Sequence, residues 1–181
     1  VDDALDETDE TVIIDITSVI NGTEVGTEQE TVTITDDDGA PTVTLSGGAA
    51  IAENAGTATI TATLSATSAL PVTVNLGYTG TATLTADYTR SDVAITIPAG
   101  SLTGTVTITG VDDALDETDE TVIIDITSVI NGTEIGTEQE TVTITDDDGA
   151  PTVTLSGGAS IIENAGTATI TATLSATSGQ N

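Results

Sequence analysis

Apolar and polar residues alternate with a period of two along most of the chain. Between residues 57 and 64, the apolar positions from Ala58 to Leu64 fall on one side and threonines fall on the other. Such alternation is typical of a β-strand that buries one face. Six similar runs centre on residues 42–45, 72–76, 93–97, 106–108, 122–126 and 142–144, and no stretch shows helical periodicity.

The seven runs predict an all-β fold. They lie within residues 41–150, each about 5–8 residues long, and Gly, Pro, Asn and Asp separate them. This pattern predicts a seven-stranded antiparallel β-sandwich of immunoglobulin-like type. The outward threonines suit solvent-facing strands, although an ice-binding or O-glycosylated surface is an alternative. Asn131-Gly132-Thr133 is interpreted as a tight turn between strands, with a glycosylation sequon as the alternative.

The sequence repeats itself after 110 residues. Residues 1–71 match residues 111–181 with six differences: Val25/Ile135, Ala50/Ser160, Ala52/Ile162, Ala69/Gly179, Leu70/Gln180 and Pro71/Asn181. This period is too long for a solenoid unit and fits one sandwich domain. We expect residues 1–40 to be the C-terminal part of a preceding repeat, 41–150 a complete repeat and 151–181 the N-terminal part of a following one. The chain is then a window on a longer tandem array.

The composition excludes several classes of function. The chain has thirty acidic residues and a single base, Arg90, and its formal net charge is −29. Nucleic acid is therefore not expected as a partner, and an anionic membrane is a poor one. No apolar run approaches the roughly 20 residues of a membrane span, which argues against membrane insertion. Cysteine, histidine and lysine are absent, which removes disulfides and the usual general base. Packing or an oxygen-ligated metal must therefore reinforce the fold.

Acidic residues concentrate in two places that follow strand-like runs. Six of the ten residues at 111–120 are acidic, and three aspartates follow at 146–148. Two carboxylates about 4 Å apart repel by roughly 1 kcal/mol in water and about 4 kcal/mol at an effective dielectric of 20. Many hard oxygen ligands in one place point to a bound calcium ion. The alternative is a solvated acidic surface, which is our interpretation of Asp92, Asp125, Glu134, Glu138 and Glu140.

Five motifs in order make a specific resemblance. They are Glu-Asn-Ala-Gly at 53–56, Ala-Asp-Tyr at 86–88, Ile-Pro-Ala-Gly at 97–100, Asp-Asp-x3-Glu-x2-Glu at 112–120 and Val-Thr-Ile-Thr-Asp-Asp-Asp at 142–148. Together they resemble the Calx-β domain, a module of sodium/calcium exchanger regulatory loops, integrin β4 and large bacterial surface proteins. The resemblance covers all of residues 41–150 and, through the repeat, both flanking pieces.

The resemblance implies several Ca²⁺ ions at the C-terminal end of each seven-stranded sandwich. In the complete repeat the implied ligands are Glu53, Asp87, Asp112, Asp113, Glu117, Glu120, Asp146, Asp147 and Asp148. In the preceding repeat they are Asp2, Asp3, Glu7, Glu10, Asp36, Asp37 and Asp38, and in the following repeat Glu163 alone.

The predicted function is structural. We expect a calcium-binding repeat of an extracellular adhesin stalk or filament at the cell surface, in which Ca²⁺ stiffens the joint between neighbouring identical repeats. Other copies of the chain are possible partners within a fibre. A calcium-sensing regulatory module and a glycan-binding or ice-binding adhesin domain are the alternatives. An enzyme is disfavoured, because the carboxylates are clustered as ligands and no insertion of the short repeat would form a substrate pocket.

Overall fold

The computed structural model describes residues 3–180, which contain fourteen β-strands. Their bounds are β1 Glu10–Asp15, β2 Gln29–Ile34, β3 Thr42–Ser46, β4 Ala50–Ala52, β5 Thr57–Leu64, β6 Val72–Gly80, β7 Tyr88–Arg90, β8 Ala94–Ile97, β9 Thr103–Gly110, β10 Glu120–Ile130, β11 Thr133–Glu134, β12 Gln139–Thr145, β13 Val153–Ser156 and β14 Thr171–Leu174.

Residues 41–150 form two five-stranded sheets. One has the order β4-β12-β10-β6-β8 and the other the order β11-β3-β5-β9-β7. Their inner faces enclose a core of Val, Ile, Leu and Ala with one aromatic ring, that of Tyr88. The largest fully buried side chains are Ile60, Ile95, Ile97, Ile108 and Ile124. The predicted all-β immunoglobulin-like sandwich is confirmed, because each predicted run overlaps one of the seven longer strands. Val93 lies just outside β8 and is exposed.

Three short strands were not predicted, and they make the sandwich less purely antiparallel than expected. β4, β7 and β11 have only two or three residues, too few to display a period of two. β4 pairs with β12 and β11 pairs with β3, both in the parallel sense. The parallel pairing of β4 is important, since it positions part of the acidic cluster.

Two hairpins flank this sandwich. β1 pairs with β2 in the register of β10 with β12, so that Glu10 faces Ile34 as Glu120 faces Ile144. At the other end β13 pairs with β14. The hairpins repeat the local pairing without the opposite sheet, and Val12 is therefore 47% exposed where its counterpart Val122 is fully buried. Strand pairing alone does not test the predicted boundaries at 40/41 and 150/151, which stay a prediction.

The outer surfaces carry the threonines and several carboxylates. In the register of β5 and β9, Thr57 faces Thr109 and Thr63 faces Thr103, in keeping with solvent-facing strand threonines. Four of the five carboxylates that we interpreted as solvated accept main-chain hydrogen bonds, and two of them, Glu138 and Glu140, do so across the sandwich. Glu138 accepts from the N–H of Leu45 (3.1 Å) and Glu140 accepts from that of Gly48 (2.6 Å), which ties β12 to the β3 side of the sandwich.

The connection after β10 agrees with the turn interpretation, because Asn131 has a left-handed φ of 58°. Its side-chain amide donates to the carbonyl of Pro71 (2.9 Å). Asparagine tolerates this conformation better than most residues. None of residues 3–180 lies in a helix long and apolar enough to cross a bilayer.

Candidate metal centre

The acidic cluster begins where two parallel strands end. Ala52 of β4 lies opposite Thr145 of β12, and the N–H of Glu53 donates to the Thr145 carbonyl (3.1 Å). Parallel strands end at the same edge of a sheet. Glu53 and Asp146, each the next residue along its strand, therefore emerge side by side.

The opposite sheet contributes Asp87. This residue precedes β7, and its carbonyl accepts from the N–H of Val111 (2.9 Å), at the start of the acidic loop (residues 111–119). Its carboxylate accepts from the N–H of Thr83, which holds the side chain in place. Asp87 is thereby fixed beside the loop that carries the densest negative charge.

Local hydrogen bonding also orients the acidic loop. The Asp113 carboxylate accepts from the N–H of Leu115 (2.7 Å), and Asp3 repeats this bond with Leu5 (3.1 Å) one period earlier. A side-chain carboxylate that accepts from the N–H two residues later forms an Asx-turn, which is common for aspartate in loops. The loop leads into Glu120, the first residue of β10, which returns the chain to the sheet of β12.

All nine predicted residues of the complete repeat lie at this one end, which we call the acidic pole. Two groups of three carboxylates have oxygens that all lie within 4.8 Å of one another: Glu53 with Asp112 and Asp147, and Glu53 with Asp113 and Asp148. Glu53 belongs to both. A cavity of about 10 Å³ beside them is lined by Glu53, Asp87, Val111, Asp113, Glu117, Thr118, Glu120, Ile144 and Asp146.

Three buried carboxylate oxygens at the pole have no hydrogen-bond partner among residues 3–180. They are Oε1 of Glu53, Oδ1 of Asp146 and Oδ2 of Asp148. Glu53 is only 7% exposed. A buried carboxylate oxygen without a donor is costly unless a cation or a proton satisfies it. The cavity has about the volume of one water-sized sphere, so the donor set and the space suit a small hard cation.

Burial and mutual repulsion shift the acidic equilibria of the pole. Burial first, and the Asp146 charge second, raise the pKa of Glu53 to about 6, although a hydrogen bond from the Asp113 backbone opposes the rise. Burial, a hydrogen bond with Asp87 and the charge of Asp87 raise the pKa of Glu120 to about 7. Burial and neighbouring carboxylates also raise the pKa values of Glu117 and Asp148. Without a cation, Glu53 and Glu120 therefore keep their protons to a higher pH than ordinary glutamates do.

These raised values predict how the stability of the metal-free chain depends on pH. Between pH 4.5, the usual glutamate pKa, and pH 6 to 7, the folded chain keeps protons on Glu53 and Glu120 that the unfolded chain releases. Stability therefore falls as the pH rises through this window. In metal-free buffer we expect the melting temperature to be several degrees higher at pH 5 than at pH 7.5, as measured by circular dichroism.

A double variant separates the pole from the general repulsion of the acidic chain. Glu53→Gln with Glu120→Gln removes both titrating groups and should flatten the pH dependence. Asp125→Asn on the outer face of β10 changes one charge away from the pole and should leave the slope in place. Equal slopes for all three proteins would contradict the assignment.

The remaining predicted ligands lie in the flanking pieces. Asp3, Glu7, Glu10, Asp36, Asp37 and Asp38 come together around a more open cavity of about 60 Å³. Burial and the charge of Asp3 raise the pKa of Glu7. Asp2 lies outside the described residues. Glu163 is exposed, and the structure does not bring it together with other predicted ligands among residues 3–180.

One residue of the acidic loop contacts the following piece without having been predicted as part of the site. Asp116 was not among the predicted ligands, yet its carboxylate accepts a hydrogen bond from Ser178 in the following piece (3.3 Å). Nothing in the motif distinguishes Asp116 from its acidic neighbours. The only signal was the repeat itself, which places the same Asp–Ser combination at Asp6 and Ser68.

Comparison by sequence finds no match, either among protein-family models or among curated proteins. Comparison by structure finds similar folds. A crystal structure of CBD12 from CALX1.2 superimposes with a TM-score of 0.52 at 22% identity, covering 59% of this chain and 44% of that one. The calcium binding domain CBD12 of CALX1.1 gives 0.52 at 23% identity, with the same coverage.

A single-domain structure gives a similar result. The apo form of the Calx CBD1 domain matches with a TM-score of 0.50 at 22% identity, covering 59% of this chain and 98% of that chain. The chain thus spans less than half the length of the CBD12 structures and nearly all of CBD1. The fold of this protein is therefore a Calx-β-like sandwich, and its acidic pole is a site that could hold a metal ion.

Proposed function

We propose that residues 41–150 are a calcium-binding structural repeat. The observation that carries the proposal is Glu53, a 7% exposed carboxylate with an unpartnered oxygen that is shared by two groups of potential ligands. A solvated acidic surface would not bury this side chain. The acidic oxygen donors exclude soft metals as the preferred ion and favour calcium, which accepts about 6–8 oxygens in flexible geometry.

The charge of the pole supports more than one ion. Nine carboxylates converge there, and the only base in the sequence, Arg90, stacks on the Tyr78 ring at 4.1 Å. Four divalent ions would offset eight of these nine negative charges. Glu53, Asp112 and Asp147 would hold one ion, and Glu53, Asp113 and Asp148 a second. Glu117, Glu120, Asp87 and Asp146 surround the adjoining cavity.

The repeat supports a place in an extended array. Copies that differ at so few positions do the same work, and a structural rod uses many identical units. We propose an adhesin stalk or filament outside the cell, where calcium is abundant enough to fill sites with dissociation constants of about 10⁻⁴–10⁻³ M. In this role calcium cancels the repulsion of the pole and stiffens the connection to the next repeat.

Calorimetric titration tests the proposal. We expect the chain to bind Ca²⁺, and Glu53→Gln to weaken binding at the complete pole by at least about tenfold, because it removes a ligand shared by two positions. Asp125→Asn, which removes an equal charge from the outer face of β10, should bind as the parent does. The absence of binding heat in the parent at two temperatures, or equal affinity in the Glu53→Gln variant, would refute calcium binding at this pole.

A further inference from the structure

The acidic loop and its counterpart in the first piece each touch the repeat that follows, at positions 110 residues apart. Asp6, in the first piece, forms an isolated parallel bridge with Ser68 of the complete repeat. Asp116, in the complete repeat, forms the same bridge with Ser178 of the last piece. Each contact joins the pole of one repeat to a loop of the next repeat. That loop follows β5 in the complete repeat and β14 in the last piece.

The first contact combines main-chain and side-chain hydrogen bonds. The N–H of Ala69 donates to the carbonyl of Asp6 (3.1 Å). The hydroxyl of Ser68 is within reach of the same carbonyl (3.2 Å) and of the Asp6 carboxylate (3.3 Å). In turn, the Ser68 hydroxyl accepts from the N–H of Leu70 (3.0 Å). The serine therefore donates to the preceding repeat and accepts from its own loop.

The second contact repeats this geometry. The N–H of Gly179 donates to the carbonyl of Asp116 (3.1 Å), and the hydroxyl of Ser178 donates to the Asp116 carboxylate (3.3 Å). The N–H of Gln180 donates to the Ser178 hydroxyl (3.1 Å). The same three bonds form although position 69 is alanine and its counterpart 179 is glycine. They therefore depend on the Asp and Ser side chains and on backbone groups, and not on the side chain at position 69 or 179.

Ser68 is a rigid receptor for this contact. It is 1% exposed, and its carbonyl accepts from the N–H of Gly100 (2.8 Å) in the turn after β8. Its loop follows Leu64, which lies at the opposite end of β5 from Thr57 and the acidic pole. Successive repeats therefore meet head to tail, with the pole of one against the base of the next.

We propose that Asp6 and Asp116 are joint residues, through which each acidic pole grips the Ser68 loop of the following repeat. Their carboxylates point to serine hydroxyls of the neighbouring repeat, and neither belongs to the two groups of three potential metal ligands. The partner surface is the base of another copy of the repeat, formed by the Ser68 loop and the turn at Gly100.

The grip is connected to the metal centre through the acidic loop, and this part of the inference rests on the proposed function. Asp116 lies between Asp113 and Glu117, both of which line the cavity. Glu117 also borders the neighbour, because its carbonyl accepts from the Gln180 side chain (2.8 Å) and a Cβ on Gly179 would lie 2.7 Å from its Oε1. An ion that orders the loop would therefore also order the joint.

Distance measurement between two spin labels tests the grip in the full chain. The sequence has no cysteine, so Thr17→Cys and Thr96→Cys, both at exposed positions on either side of the first joint, provide unique attachment sites. In calcium buffer we expect one narrow distance peak. Asp6→Ala and Ser68→Ala should each increase the population outside that peak by about tenfold, since each removes a charge-assisted hydrogen bond.

Two controls keep the outcomes distinct. Asp15→Asn removes an exposed charge from the first piece, and Ser101→Ala removes a hydroxyl beside Gly100 outside the contact; both should keep the narrow peak. Asp6 lies outside the complete repeat, so its variant tests the joint even where Ser68→Ala unfolds the sandwich. An unchanged distribution in Asp6→Ala would overturn the grip.

Calcium titration of the same variants separates this inference from the proposed function. Unaltered affinity in Asp6→Ala, together with a broadened distance peak, assigns Asp6 to the joint. A loss of calcium affinity with an unbroadened peak would make Asp6 a ligand and overturn the inference. If the parent chain binds no calcium but still gives a narrow distance peak, and Asp6→Ala loses that peak, the grip is supported and the proposed function is refuted.

Discussion

Removal of calcium should lower the melting temperature of this protein by about 20 °C. With dissociation constants of about 10⁻⁴ M, calcium at about 10 mM stabilises each site by about 2.7 kcal/mol. Two sites, one for each group of three carboxylates that shares Glu53, then contribute about 5 kcal/mol. For a domain of this size, each kcal/mol corresponds to about 4 °C. Thermal unfolding followed by circular dichroism, with calcium and then with excess chelator, measures the difference.

Magnesium distinguishes coordination from charge screening. It carries the same charge at the same ionic strength, but it prefers octahedral geometry and keeps several of its waters. We therefore expect magnesium to restore only a small part of the loss. A melting temperature that is indifferent to chelator, or one that magnesium restores in full, would contradict coordination at the pole.

The sequence predicted the sandwich because most of its strands are long enough to show their period. β5 alternates over eight residues, with alanine, isoleucine and leucine buried and threonine outside. β4 has three residues and β7 has three, and neither run is long enough to display alternation. Those short strands form because they pair with strands that are distant in sequence, and the local sequence does not indicate which strand a segment will pair with.

The composition of the acidic pole was predictable, but its arrangement was not. The density of carboxylates at 111–120 and 146–148 implied strong mutual repulsion, which a bound cation would offset. The role of Glu53 as the buried residue shared by two groups depends on the parallel pairing of β4 with β12. Glu138 and Glu140 were interpreted from the sequence as solvated charges. In the structure they accept backbone hydrogen bonds across the sandwich.

The joint was the least predictable part of the molecule. A hydrogen bond between Asp116 and Ser178 spans 62 residues, and so does its counterpart between Asp6 and Ser68. Neither residue type is unusual in a loop. The near-identity of the repeats is nevertheless informative once the contact is known, since the same pair at each junction would give every joint of an array the same geometry.

Substitution of Gly110 should disrupt both the fold and the metal centre. This residue ends β9, immediately before the acidic loop, and a Cβ there would lie 2.6 Å from the carbonyl oxygen of Ala52 and 2.7 Å from that of Glu53. Both atoms are backbone, so no side-chain rotation relieves the clash, and β4 must move away from β9. Displacing β4 carries Glu53 away from Asp146 and the acidic loop.

We expect Gly110→Ala to lower the free energy of unfolding by about 3 kcal/mol, at the upper end of the usual cost of overpacking. Calcium affinity should fall with it, because the displaced residue is the one that both ligand groups share. Gly149→Ala is the matched control, since a Cβ at that position meets no atom of the described part of the chain within 4 Å. Chemical denaturation with and without calcium measures both effects. If Gly110→Ala matches Gly149→Ala in both its free energy of unfolding and its calcium affinity, the close approach of β9 to Glu53 does not set the geometry of the pole.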